Sequence, residues 1–266
     1  MTAPVPEAIT PQLALACEVI QQQLAANLLA IYLYGSALDG GLKPRSDIDL
    51  LVIVAQHPDT VTLRHLQREL LAISAPPGQH PTLRALEATV IAQAEVMPWR
   101  HPARRELQFG EWLRQDILAD ILEPPTLDPD LAILLTKARL HSIALQGPAI
   151  TALLPPVAKR DFQQALADTL LLWNSAQDWN GEEAHIVLTL ARIWYSAQTG
   201  NIAPKDVAAD WLLTQLPAHH HAIVSQARQL YLGQGDSTPH WPAAELAAFI
   251  HAAKARITEI LATRPH

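Results

Sequence analysis

Tyr34-Gly35-Ser36-Ala37-Leu38-Asp39-Gly40-Gly41-Leu42-Lys43-Pro44-Arg45-Ser46-Asp47-Ile48-Asp49-Leu50-Leu51-Val52-Ile53-Val54 is the stretch that decides how this chain folds. A Gly-Ser turn follows one apolar run, and ten residues further on Asp47-Ile48-Asp49 opens another. Side chains two apart on a strand share a face. Asp47 and Asp49 are therefore expected to project together from a strand otherwise built for burial. Two carboxylates side by side in such a place repel unless a cation lies between them. Hard oxygen ligands on a rigid strand suit Mg²⁺, which takes one or two carboxylates and completes its shell with water and phosphate.

Working outward, residues 30–34 read as a short buried strand and 48–54 as a second. Residues 9–29 have helical periodicity and form the expected opening helix. Ser36-Ala37 is expected to begin a short helix that stops at Gly40-Gly41. Residues 59–74 are helical, capped by Asp59 or Thr60, and Pro76-Pro77-Gly78 ends them. Residues 86–91 read as a third strand, and residues 98–122 are expected to contain further helix.

After Leu153-Leu154-Pro155-Pro156 the character changes. Amphipathic runs at about 158–175, 183–198, 205–216, 218–231 and 243–262 follow one another. Asn180-Gly181, Gly200-Asn201, Pro217 and Gly233-Gln234-Gly235-Asp236 punctuate them. The fold class is thus an α/β (α+β) domain with a small mixed sheet, residues 1–157, followed by an all-α helical bundle, residues 158–266.

Hydrophobic residues make up 49% of the 266, enough to build real cores. No window has the uninterrupted apolar length of a membrane span. The N-terminus lacks the basic-then-apolar layout of a signal peptide, so a cytoplasmic protein is expected. The single cysteine, Cys17, excludes an internal disulfide and reads as a small buried residue. A net charge of −7 argues against a nucleic-acid partner, because phosphate backbones reward clustered Lys and Arg. It suits a cationic small substrate.

Gly35 permits close approach of the backbone to a ligand, and backbone N–H groups at the start of the expected helix, with the Ser36 hydroxyl, can hold a phosphate oxygen. The Gly-Lys-Ser/Thr pattern of a P-loop is absent. Glu87 interrupts the third strand. Alone it would read as an exposed edge residue. Beside two other carboxylates it reads as a base that takes the proton from an attacking hydroxyl, while two metals clamp the entering and leaving oxygens of an in-line displacement.

The spacing of Gly-Ser, a ten-residue gap and Asp-x-Asp resembles that of the DNA polymerase beta-like nucleotidyltransferases. The likeness is closer than the superfamily. Leu33-Tyr34-Gly35-Ser36-Ala37, Gly40-Gly41-Leu42-Lys43-Pro44, Ser46-Asp47-Ile48-Asp49-Leu50-Leu51-Val52, Gln108-Phe109-Gly110-Glu111-Trp112-Leu113-Arg114, His185-Ile186-Val187-Leu188-Thr189-Leu190-Ala191-Arg192-Ile193 and Gly200-Asn201-Ile202-Ala203-Pro204-Lys205-Asp206 all resemble the bacterial aminoglycoside adenylyltransferases that modify streptomycin and spectinomycin.

That resemblance implies a nucleotidyltransferase domain and a helical domain that hold ATP and drug in the cleft between them. It implies transfer of AMP from ATP to a drug hydroxyl with release of pyrophosphate, dependent on Mg²⁺, two ions being expected. Asp47 and Asp49 match the family's metal ligands, and Glu87 its catalytic base and a further ligand. Gly35, Ser36 and Ser46 match the phosphate-contacting segment, and Arg192 and Lys205 match basic residues that reach the nucleotide. Trp112, Trp173, Asp178 and Glu182 match drug-facing positions. The family often carries Asp where Glu182 stands, which keeps the charge and lengthens the side chain.

Physical chemistry offers a rival for several of these. Streptomycin's guanidinium groups favour carboxylates, but Asp178, Glu182 and Glu183 also suit a solvated helix start. Trp173 reads equally as core, Arg192 as a snorkelling surface residue, and Tyr231 as either a nucleotide contact or packing. Lys205 stands at a helix start, where a cation is locally disfavoured and an anionic partner would help. His185 is either a substrate contact or a structural histidine. His219-His220-His221 reads as a solvated helix start rather than a metal tract, since consecutive helix residues point apart. A monomer is expected because both halves of the site lie in one chain. The alternative function is a non-catalytic nucleotidyltransferase-like antitoxin or regulatory module.

Overall fold

The structure is a computed structural model that describes residues 4–235 and 239–263. The chain divides into two compact units, with the boundary between Ala158 and Lys159.

The first unit is built on a five-stranded mixed sheet. Its strands are β1 (Leu28–Tyr34), β2 (Ile48–Val54), β3 (Leu86–Ala92), β5 (Leu107–Phe109) and β7 (Ile143–Gln146), in the order β5-β3-β2-β1-β7. A separate ribbon pairs β4 (Ala103–Arg105) with β6 (Thr126–Asp128). Only β2 and β3 run parallel, in register from Ile48↔Leu86 to Val54↔Ala92; the neighbouring pairs are antiparallel. Strand β2 is buried along its whole length, which is why it reads as a continuous apolar run rather than an alternating one. Each fully buried Leu or Ile there is worth about 1.5–3 kcal/mol of transfer free energy.

Helices α1 (Thr10–Leu24) and α2 (Thr60–Ala72) cover one face of the sheet, with Leu13, Ile20, Leu63, Leu66 and Leu70 packed among Leu50, Val52, Ala88 and Val90. Helix α5 (Leu131–Leu140) covers the other, where Leu131 and Leu135 meet Tyr32, Leu51, Ile53 and Ile91. Short helices α3 (Gln93–Val96), α4 (Arg114–Leu118) and α6 (Ile150–Leu153) complete the unit. Asp59 caps α2, its Oδ1 accepting from the backbone of Val61 and Thr62 at 2.9 Å each.

Two local expectations are corrected. The opening helix ends at Leu24, not 29, because a 3-10 turn at Ala25–Asn27 lets Asn27 exchange two hydrogen bonds with the backbone of Gln56 beyond β2. The expected short helix after Gly35 is only a three-residue 3-10 turn, Gly35–Ala37, followed by Gly40 and Gly41 at positive φ. A single such turn carries little helix dipole. The helix expected within residues 98–122 is present as α4, preceded by a 3-10 turn at Glu111–Leu113, but the same segment also holds the short strands β4 and β5. Leu107 and Phe109 alternate with Gln108 and join β3, a pairing no local periodicity reveals.

Among the described residues the second unit is all helical: α7 (Lys159–Leu170), α8 (Ala176–Trp179), α9 (Glu183–Thr199), α10 (Lys205–Leu213), α11 (His221–Tyr231) and α12 (Ala243–Thr263). Helix α9 carries the apolar run Ile186, Val187, Leu188, Leu190, Ala191 and Ile193, all buried. It ends at Gly200, whose left-handed φ of 77° makes the C-cap. Trp179 is core, meeting His251 edge-on at 6.1 Å. His220 is buried edge-on against Phe249 and His221 bonds the Leu216 carbonyl, while His219 is exposed, so the expected solvated helix start is corrected for His220, which packs into the core. No described helix is long and apolar enough to cross a membrane.

Candidate active site

Asp49 on β2 stands directly beside Glu87 on β3 and Tyr34 on β1 in the sheet register. Paired positions in adjacent strands send their side chains to one face. Asp47 precedes β2 and joins them: one carboxylate oxygen from each of Asp47, Asp49 and Glu87 lies within 4.8 Å of the others. Asp49 is only 9% exposed. Burial, then the charges of Asp49 and Asp47, push the Glu87 carboxyl well above the usual range, against the pull of Lys137. Glu87 also hydrogen-bonds Asp47, the arrangement of two carboxyls that share a proton in the absence of a cation. The Tyr34 phenol is likewise held well above its ordinary value by burial and by Asp49, Glu87 and Asp47. Three hard oxygen donors around one point are a donor set for Mg²⁺.

Gly35 serves this cluster in a way its position between two strands does not reveal. A Cβ there would stand 1.7 Å from Asp49 Oδ2 and 2.5 Å from its Cγ. The space that looks reserved for a ligand is taken by the carboxylate of Asp49. Ser36 Oγ is buried and has no hydrogen-bond partner among the described residues. A buried hydroxyl without a protein partner, directly after Gly35 in the chain, is a donor open to a phosphate oxygen. Ser46 is 8% exposed and its Oγ accepts from the Lys43 N–H at 2.9 Å, so its own proton remains available to donate.

Several supporting residues escaped the sequence reading. Arg84 Nη1 donates to the carbonyls of Lys43 and Ser46 at 2.9 Å each, fastening the loop that delivers Asp47. Lys137 on α5 lies 5.4 Å from the Tyr34 ring centroid and draws on Glu87 electrostatically. Gln108 donates to Glu87. All three sit far along the chain from the motif, and only the sheet brings them in. A second carboxylate group, His57 with Glu95 and Glu106, is an ion-pair cluster with Arg104.

Trp112 is 62% exposed, its ring lying against Gly110, where a Cβ would meet it at 2.2 Å. Glu111 holds the segment, paired to Arg114 Nε at 2.6 Å and to the Ser74 hydroxyl.

In the second unit His185 and Arg192 lie seven residues apart on α9, one face of the helix, and Lys205 opens α10. Lys205 Nζ is 5.8 Å from the Tyr231 ring centroid. His185 keeps an open edge to solvent. Crowding by protein, then the charges of Lys205 and Arg192, push its imidazole down to about 4. These four residues are thus brought together. Asp178 is exposed and closes a capping box: its Oδ2 accepts from the N–H groups of Asn174 and Ser175 at 2.7 Å each, which lowers its pKa. Trp173 is 8% exposed, with its carbonyl bonded to Lys254. Glu182 is the exposed N-cap residue of α9.

Comparison with known proteins agrees with both units. Residues 18–89 match the nucleotidyltransferase model of polymerase beta. Residues 152–256 match the C-terminal domain of aminoglycoside adenylyltransferases. An aminoglycoside (3'')(9) adenylyltransferase of Escherichia coli is 54% identical over 253 residues, 95% of this chain and 96% of the relative. A spectinomycin 9-adenylyltransferase of Staphylococcus aureus is 38% identical over 82% of this chain and 84% of its own. The crystal structure of a spectinomycin adenyltransferase from Enterococcus faecialis with ATP and spectinomycin superposes with a TM-score of 0.86 at 29% identity, over 93% of this chain and 98% of that one. With its mixed sheet, its carboxylate cluster and relatives that match along nearly its whole length, the chain belongs to the aminoglycoside adenylyltransferase family of nucleotidyltransferases.

Proposed function

We propose that this protein transfers AMP from ATP to a hydroxyl of streptomycin and of spectinomycin, releasing pyrophosphate and so conferring resistance, with Mg²⁺ as cofactor and Glu87 as general base. The observation that carries the reading is the convergence of Asp47, Asp49 and Glu87 within 4.8 Å. Asp47, Asp49 and Glu87 would hold the metal, which when bound neutralises phosphate charge and polarises the phosphorus for attack.

Glu87 accepts the proton of the drug hydroxyl. The freed oxygen attacks the α-phosphorus in line, the new O–P bond forms, and the bond to the bridging oxygen breaks as pyrophosphate departs. Without a cation, burial and the neighbouring carboxylates hold Glu87 well above the usual carboxylate range, and a buried carboxylate within reach of the hydroxyl is placed to accept its proton. Ser36 and Ser46 contribute hydroxyl donors to the phosphates. Arg192 and Lys205 contribute charge to the nucleotide, and Tyr231 supports Lys205 from its ring face. Trp112, Trp173, Asp178, Glu182 and His185 form the drug side. A neutral His185 suits that role, because it adds no positive charge against a cationic drug. The protein acts as a monomer.

The test is purified protein with ATP, Mg²⁺ and a panel of aminoglycosides, read by pyrophosphate release. Release with streptomycin and spectinomycin is expected, and its absence with both overturns the substrate assignment.

A further inference from the structure

Glu87 needs more than a high pKa to act as base. One of its oxygens must face the incoming hydroxyl, yet the terminal torsion of a glutamate is broad and nearly two-fold. Something has to hold the carboxylate in plane. Gln108 sits at the centre of β5, opposite Thr89 of β3. Leu107 and Phe109 turn to the core beneath α1 and α2, so Gln108 faces the opposite side, that of Glu87. It is 9% exposed and Thr89 is fully buried. Polar groups in such a place are costly unless paired, and here each is paired.

The pairing fixes which way the amide points. Arg105 Nη1 lies 3.3 Å from one end of the Gln108 amide, and Thr89 Oγ1 lies 2.9 Å from the same end. A guanidinium can only donate, so that end is the carbonyl oxygen. Arg105 is itself held by Asp128 Oδ2 at 3.0 Å. The NH₂ end therefore faces Glu87, and it donates to Oε1 at 3.1 Å. Thr89 and Arg105 donate to the amide oxygen while the amide donates to Glu87, so these bonds all run toward Glu87 and strengthen one another.

We propose that Gln108 is a positioning residue for this enzyme: its amide, oriented by Arg105 and Thr89, holds Oε1 of Glu87 and leaves Oε2 to take the hydroxyl proton. The inference rests on the assignment of Glu87 as base.

Gln108→Met keeps the volume and removes the donor. Loss of an outer-shell partner of this kind lowers activity by about 10–100-fold. The fall is expected in kcat, with KM for ATP and for spectinomycin within about twofold of wild type. Gln108→Asn, one methylene shorter, withdraws the same donor and is expected to fall likewise if Gln108→Met folds poorly. Thr89→Val removes one of the two bonds that orient the amide but leaves Arg105 in place, and is expected to lower kcat by less than Gln108→Met does. In a Glu87→Gln background the Gln108→Met change is expected to add no further loss, because the two act as one unit.

Equal losses in Thr89→Val and Gln108→Met, an unchanged kcat in both Gln108 variants, or an additive loss on top of Glu87→Gln would each overturn the proposal. A Glu87→Gln enzyme that turns over normally would instead remove the base assignment, and the positioning role with it.

Discussion

Replacing Gly35 by alanine separates two reasons for a glycine that are usually entangled. Gly35 has φ +76°, as Gly41 has φ +78°. An L residue in that region costs about 1–2 kcal/mol at either position. The surroundings differ. Around Gly41 a new Cβ meets nothing within 4 Å, whereas at Gly35 it lands 1.7 Å from Asp49 Oδ2. Ordinary contact begins near 3.4 Å, so the carboxylate must retreat by roughly 1.7 Å, far beyond the roughly 0.2 Å that metal–ligand distances tolerate. A misplacement of about 1 Å already costs on the order of 10²-fold in rate. Gly35→Ala should therefore lose at least about 10²-fold in kcat/KM at saturating Mg²⁺. Gly41→Ala should lose only stability, a fall in Tm of roughly 2–8 °C, and keep its turnover. The assay is pyrophosphate release on both variants, with Tm by circular dichroism to confirm that each folds. If Gly35→Ala and Gly41→Ala keep similar activity, Gly35 does not exist to admit the Asp49 carboxylate.

Other outcomes follow from the same geometry. Glu87→Gln should bind ATP and drug yet transfer AMP about 10²–10⁴-fold more slowly in a single turnover; a normal rate would show that another group takes the proton. His185 should stay neutral well below the usual histidine range. The unfolded chain takes up that proton near 6.5 and the folded one at about 4. Unfolding therefore binds protons between those values, and the contribution to stability is lost as pH falls through that window. An NMR titration that puts His185 at 6.5 or above would refute this. Trp112→Ala should leave Tm nearly unchanged, because the ring is exposed, while raising KM for drug. If Asp178 takes the proposed drug-side role, Asp178→Asn should weaken streptomycin more than spectinomycin, because it removes a negative charge that the more cationic drug would use. Equal effects on both drugs would contradict that reading.

The legible parts of the fold are those that local chemistry dictates. Asp59 could be expected to cap α2 because an aspartate ahead of an apolar-periodic run accepts from the next N–H groups, as it does here. Strand β2 announced itself because burial on both faces makes residues 50–54 a continuous apolar run after Asp49. Strands β4, β5 and β6 were hidden because three residues are too few to show a period. Asn27 ends the first helix region early by bonding to Gln56, a partner twenty-nine residues away.

By itself the sequence determined the local elements and the kind of chemistry. Carboxylates on a buried strand after a Gly-Ser turn call for a cation and a phosphate, whatever surrounds them. Only the tertiary structure decided how those groups are supported. Register between β2 and β3 sets Glu87 beside Asp49. Pairing of β5 with β3 brings Gln108 to Glu87, and the carboxylate of Asp49 claims the space above Gly35. The physical reason is that spacing along a strand governs only which face a side chain takes. Which carboxylates share a point in space, and which amide steadies them, depends on hydrogen-bonded strands that meet from far apart in the chain.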